Sequence, residues 1–212
     1  MPGARIWATA VLATIVIAGS LLGCARPAAP PVPPSAKQPG VPDLSVPTDF
    51  GRLRTEYGDR KDFFDICERR RPLKRLAELV DQKRWDEVLT VSDPWLQQCP
   101  VDIDAHFVKA IALKELGRAP ESEDHIRWFR GLADSILASG DGRTPQTAFV
   151  VISVPEEYSM LRVLRMRLKS QALTSGGIDA LSVENGQGVT GIIYFNPAAH
   201  FRRMPELFRA PR

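Results

Sequence analysis

The chain has 212 residues, with 28 Lys and Arg set against 25 Asp and Glu for a net charge of +3. That balance is too mild for the electrostatic footprint of a nucleic-acid binder. Once a leader and a tether are set aside, about 160 residues remain, enough for one domain with its own core.

The N-terminus carries Arg5 and then an unbroken apolar run from Ile6 to Leu22, the layout of a secretory signal. The run is also near the lower length limit of a membrane-spanning helix, so an uncleaved anchor competes with it. Leu21-Leu22-Gly23-Cys24 decides between them. It resembles the bacterial lipobox, which implies lipidation of Cys24, cleavage before it and a mature chain that starts at residue 24. Ala25 is not the aspartate of an inner-membrane retention signal, so the expected address is the outer membrane, facing the periplasm. From residue 25 to residue 47 there are eight prolines, which favour an extended polyproline spacer of at most about 70 Å. The expected division is a signal over 1–23, a tether over 24–49 and one domain over 50–212.

Within that domain, Leu73, Leu76, Leu79 and Val80 recur at helical spacing after Pro72. Trp85, Val88, Leu89 and Trp95 mark a second helix that Pro94 should kink or interrupt. Phe107, Ala110, Ile111 and Leu113 mark a third helix, and Ile126, Phe129, Leu132, Ile136 and Leu137 a fourth. The segments repeat about 34 residues apart (Leu76 with Ala110, Leu79 with Leu113), the tetratricopeptide period. Gly117 falls at the turn of the second copy, where the first copy has Lys83. Two tetratricopeptide-like hairpins, a protein-binding architecture, compete with a plain helical bundle. The basic run 68–75 follows Asp59, Asp62, Asp65 and Glu68 and reads as a solvated, self-compensated helix start; contact with anionic lipid or cell-wall polymer is the alternative. Cys67 and Cys99 form an even pair in an exported chain and are a candidate disulfide, with two buried thiols as the competing reading.

Beyond Ser139-Gly140-Asp141-Gly142, a turn signal, the pattern becomes that of strands. Thr147–Ser153 reads as a central strand, and Pro155-Glu156-Glu157-Tyr158 as a tight connection or single helical turn with Ser153 and Glu156 at capping-box spacing. Val163–Gln171 alternates strictly, with Leu164, Met166 and Leu168 opposite Arg165, Arg167 and Lys169. Asp179–Val183 and Gly191–Phe195 flank the hairpin signature Asn185-Gly186, and a short basic helix follows around Met204–Phe208. The expected fold is α+β: helical hairpins over 50–140, packed on a mainly antiparallel four-stranded sheet over 141–212.

The sheet half carries a family resemblance. Ser139-Gly140-Asp141-Gly142, Glu156-Glu157-Tyr158, Gln171 and Tyr194-Phe195-Asn196 fall in order and resemble the signature of domain of unknown function 4919. The likeness spans roughly residues 73–197. It implies a fold and motif positions that are structural, and no activity, because the family has none assigned.

No catalytic motif stands out. His106, His125 and His200 are scattered, with no metal-ligand spacing, and neither a phosphate loop nor a nucleophile elbow is present. No metal or cofactor is expected. Asp141, Glu156, Glu157 and His125 could converge where the fourth helix meets the first strand, which would suit a periplasmic hydrolase. The competing structural roles are a turn for Asp141, a cap for Glu156, and an ion pair between Glu157 and Arg165 or Arg167. The leading expectation is therefore a lipid-anchored envelope module that binds a protein or cell-wall partner without catalysis.

Overall fold

A computed structural model describes residues 49–207. The leader, Cys24 and the proline tether lie outside the described residues. Those described form seven α-helices and one four-stranded mixed sheet, an α+β fold. None of the described helices is long and apolar enough to cross a membrane.

The chain enters through α1 (Phe50–Gly58), a helix that the sequence reading missed, capped by Asp49, whose carboxylate accepts Arg52 N–H at 2.8 Å. Phe50 seats on Gly131 of the long helix α5, where any larger residue would collide with its ring. A π-helical turn (Phe64–Glu68) then leads into α2 (Leu73–Asp81), α3 (Trp85–Gln98), α4 (Ile103–Glu115) and α5 (Ala119–Leu137). Pro94 does not interrupt α3, which continues through it. Trp95 and Leu96, directly after it, are both buried, and anchoring two large apolar side chains offsets the roughly 3 kcal/mol that an interior proline costs.

Lys83 and Gly117 turn the chain between α2 and α3 and between α4 and α5, and both adopt left-handed backbone, at φ 55° and 76°. The turn conformation is thus repeated even where the glycine is not.

The expected seven-residue central strand is reduced to β1 (Phe149–Val150), at the edge of a sheet ordered β1-β4-β3-β2. Side chains take the backbone groups that would have extended it. Thr147 belongs to a 3-10 turn capped by Thr144, Ile152 N–H donates to Glu156, and Ile152 carbonyl accepts from Arg203. Of the two readings of the Glu-Glu-Tyr segment, the helical turn capped by Ser153 holds, and it runs on to ten residues. It opens α6 (Val154–Val163), started by Ser153, whose hydroxyl accepts Glu156 N–H, and by Pro155 in the first turn.

Arg165 takes a left-handed turn at φ 56° rather than joining a strand, so β2 runs over Met166–Leu173, with an irregularity between Leu168 and Ser170. β3 (Asp179–Asn185) pairs antiparallel with β2 and with β4 (Thr190–Asn196), whereas β1 pairs parallel with β4. α7 (Ala198–Leu207) starts six residues earlier than the helix read from the sequence.

One core runs through both halves, from Leu76, Leu79, Leu113 and Leu132 to Met160, Leu181 and Phe195. On β3 the buried face presents Asp179, Leu181 and Val183. An aspartate there among apolar neighbours is the anomaly that leads to the site.

Candidate functional site

The family-motif residues gather along the junction of β1, α6 and the sheet. Asp141 closes its own turn by accepting Arg143 N–H at 3.0 Å and the Thr147 hydroxyl at 2.5 Å. The Thr147 bond is the main reason its carboxyl lies below the usual range. Gly142, at φ 65°, sits so close to the Phe149 ring that no side chain would fit, and its carbonyl accepts Tyr194 N–H at 2.9 Å. Ser139 Oγ accepts Val150 N–H at 2.8 Å, locking the turn to β1. Tyr158 donates to Gln171 Oε1 at 3.0 Å, joining α6 to β2. Phe195 is buried against Phe149, and Asn196 carbonyl accepts Val151 N–H at 3.1 Å. Apart from the Asp141 turn, each contact joins two elements, and all of them are structural roles.

The two adjacent glutamates part company because neighbouring positions on a helix point in different directions. Glu156 receives Arg54 in a two-pronged pair, Nε at 2.9 Å and Nη2 at 2.7 Å, with Ile152 N–H at 2.8 Å. Arg54 also donates to Ser135 Oγ and to Val150 carbonyl, both at 3.1 Å, so the buried charge is well satisfied. Glu157 is 0% exposed and makes no ion pair with Arg165 or Arg167, correcting the sequence expectation; Arg167 pairs instead with Glu184 at 2.7 Å. Neither carboxyl oxygen of Glu157 meets a donor. Its electrostatic neighbour is Asp179, another acceptor when ionised. Burial first, then the charge of Asp179 and a hydrogen bond with it, push Glu157 up to about 9. Glu157 therefore carries a proton at neutral pH.

His125 is not part of this group. Its Nδ1 lies 2.8 Å from Nδ1 of His106, whose Nε2 lies 2.9 Å from Pro100 carbonyl. The carbonyl can only accept, so His106 donates through Nε2 and accepts through Nδ1 from His125. The His106 ring stacks on Trp128, with centroids 4.7 Å apart. Burial lowers His106 to about 4 and His125 to about 2, keeping both neutral. His200 stands elsewhere, 3.7 Å from Glu68.

A third network went unread in the sequence. Arg71 leaves its basic run to meet Asp102 at 2.6 Å and Asp104 at 2.7 Å, and Trp95 Nε1 donates to Asp102 at 2.8 Å. Burial raises the Asp102 carboxyl, but the Arg71 bonds and charge, with Trp95, outweigh it and hold the group below its ordinary value. Ser159 and Arg162 of α6 complete the network on Asp104. Cys67 and Cys99, disulfide-bonded with Cα atoms 5.3 Å apart, close the same junction. The cleft left there measures about 20 Å³ and is lined by Cys67, Arg71, Asp102, Ser153, Glu156 and Ser159 among others. It holds about one water. Asp141 and His125 do not line it, so the four residues expected to converge are divided among four settings.

Local signals could have flagged Asp102, which caps α4 by accepting Ala105 N–H at 3.2 Å after the helix-stopping Pro100. Arg54, Arg71, Asp104 and Asp179 carry no such signal, because their partners lie tens of residues away. Among the described residues, no group of three His, Cys, Asp or Glu could hold a metal ion.

Fold and site together define an α+β domain whose halves are joined by buried, internally paired charges, with a disulfide closing the helical half beside that junction. The family model described as "Domain of unknown function (DUF4919)" matches residues 66–203, and the chain belongs to that family. No curated protein and no solved structure matches it.

Proposed function

We propose that the chain is an envelope lipoprotein, anchored by lipid on Cys24 at the outer membrane and facing the periplasm, whose domain binds a protein or cell-wall partner without turnover. One observation carries the non-catalytic part. The carboxylates of the junction are committed to internal partners, and the cleft among them has room for one water. Catalysis needs a group that a substrate can reach. The Cys67–Cys99 bond supports an oxidising compartment. The repeated left-handed turns at Lys83 and Gly117 support a tetratricopeptide-like use of the helices. On their surface, Phe107 is 42% exposed beside Phe129, with ring centroids 5.0 Å apart, an apolar contact for a partner.

Mass spectrometry of the membrane-extracted protein tests the anchor: the wild type is expected to carry acyl chains that Cys24→Ser lacks. A wild-type chain recovered with its leader and a bare thiol overturns the reading. Crosslinking in cells is expected to give a partner adduct that Phe107→Asp loses.

One observation favours a hydrolase instead, namely the protonated Glu157 beside Asp179. That alternative requires hydrolysis of a cell-wall or peptide substrate which Glu157→Gln abolishes while the fold stays intact.

A further inference from the structure

A second cavity, of about 140 Å³, lies between the C-terminal end of α1 and α7, lined by Gly58, Asp59, Lys61, Ala199, Arg202 and Arg203. Three cations therefore face one carboxylate. Arg202 holds Asp59 at 3.1 Å, and both side chains are more than half exposed. Lys61 is exposed and enters no ion pair among the described residues.

Arg203 differs from these, at only 6% exposure. Its guanidinium donates to the carbonyls of Gly58 and Ile152 and lies 4.4 Å over the Phe63 ring. Its carboxylate neighbour, Glu68 Oε1, is 3.7 Å away, beyond hydrogen-bond reach, and stands equally far from His200 Nδ1. A guanidinium has five N–H donors, and two atoms of this one serve main-chain carbonyls. Burial lowers the proton affinity of Arg203 and the neighbouring Arg202 adds to the effect, against the opposing charges of Glu68, Asp59 and Glu156; of these acids only Asp59 lines the cavity.

We propose that this cavity binds a phosphate-class oxyanion, gripped by Arg202 and Arg203 and faced by Lys61. Guanidinium forks match the spacing of phosphate oxygens, and an ammonium adds a compact charge. The volume fits a tetrahedral oxyanion with part of its water, since one water occupies about 30 Å³ of liquid. The negative end of α1 points toward the site, but Arg203 already occupies its Gly58 carbonyl. Asp59 is the internal competitor: the incoming oxyanion replaces it on Arg202. The inference supplies a chemistry for the partner in the binding-module reading and does not depend on lipid at Cys24.

The test uses the full chain in neutral detergent. Thermal unfolding is followed against inorganic phosphate, with chloride at matched ionic strength as control. Phosphate is expected to raise the melting temperature saturably, and Lys61→Ala/Arg202→Ala to weaken its apparent affinity about tenfold or more. Both positions are exposed, so the double variant keeps the core; Lys61→Glu, which places a carboxylate at the rim, should weaken binding on its own. Equal responses to chloride and phosphate, or an unchanged response in the double variant, overturn the proposal. A second arm compares vesicles of phosphatidylcholine with and without phosphatidylglycerol. If phosphate binds, a preference for phosphatidylglycerol that the double variant loses assigns the site to a lipid headgroup. Phosphate binding without that preference assigns it to a soluble phosphate-bearing ligand.

Discussion

Burial favours the neutral form of both Glu157 and His106, and so drives their proton affinities in opposite directions. An unfolded glutamate titrates near ~4.3, whereas Glu157 holds its proton to about 9. Its contribution to stability is therefore full below ~4.3 and is lost as pH rises toward 9. Glu157→Gln keeps the shape and a neutral polar head and removes the titration. It should exceed the wild type by roughly 5 kcal/mol at pH 8 and come close to it near pH 4.5, read by urea unfolding at both values. A variant weaker than the wild type at pH 8 would refute the protonated pair. The histidines work the other way. Unfolded imidazoles gain a proton near ~6.5, but His106 resists to about 4 and His125 to about 2, so stability falls as pH drops below ~6.5. In the Glu157→Gln background, where the carboxyl no longer masks it, this acid slope should stand alone. Adding His125→Gln should roughly halve it between pH 6.5 and 4, leaving the share of His106, whatever it does to absolute stability.

At the scale of elements, the helix pairs turn alike through different residues. Lys83 and Gly117 share a left-handed backbone, which costs a side-chain-bearing residue ~1–2 kcal/mol and glycine little beyond the entropy it loses on folding. Lys83→Gly should therefore stabilise the domain by about 0.5–1 kcal/mol, and Gly117→Ala should destabilise it by about 1 kcal/mol. Nothing lies within 4 Å of a Cβ at Gly117, so that loss would be purely conformational. Denaturant midpoints with unchanged slopes would establish both; a destabilising Lys83→Gly would mean that the lysine does more than turn the chain. These helices were legible because their apolar spacing is local and their caps are sequence features. The length of β1 was overstated and that of α6 understated for the converse reason. Thr147–Ser153 has strand composition, but Glu156 and Arg203 claim the Ile152 backbone from 4 and 51 residues away.

Across the whole molecule, the sequence conveyed fold class and motif positions well and side-chain pairing poorly. Ser139, Asp141 and Asn185 hydrogen-bond within a few residues of themselves, so composition nearly dictates their roles. Arg54 is the opposite case. It lies in α1, outside the family match at 66–203, yet its guanidinium reaches Glu156 across 102 residues and lies within the core. The matched segment is therefore not electrostatically closed: without α1, Glu156 would be a buried anion with only Ile152 N–H and its own helix start to hold it. Arg54→Met should cost about 3–5 kcal/mol, because the loss strands a charge rather than merely a contact. Arg54→Met/Glu156→Leu, which removes both charges and keeps the volume, should recover most of that loss. Chemical denaturation of the three proteins decides the matter: a single variant as stable as the wild type, or a double variant no better than the single, would mean that α1 is an appendage to the domain and not part of its core.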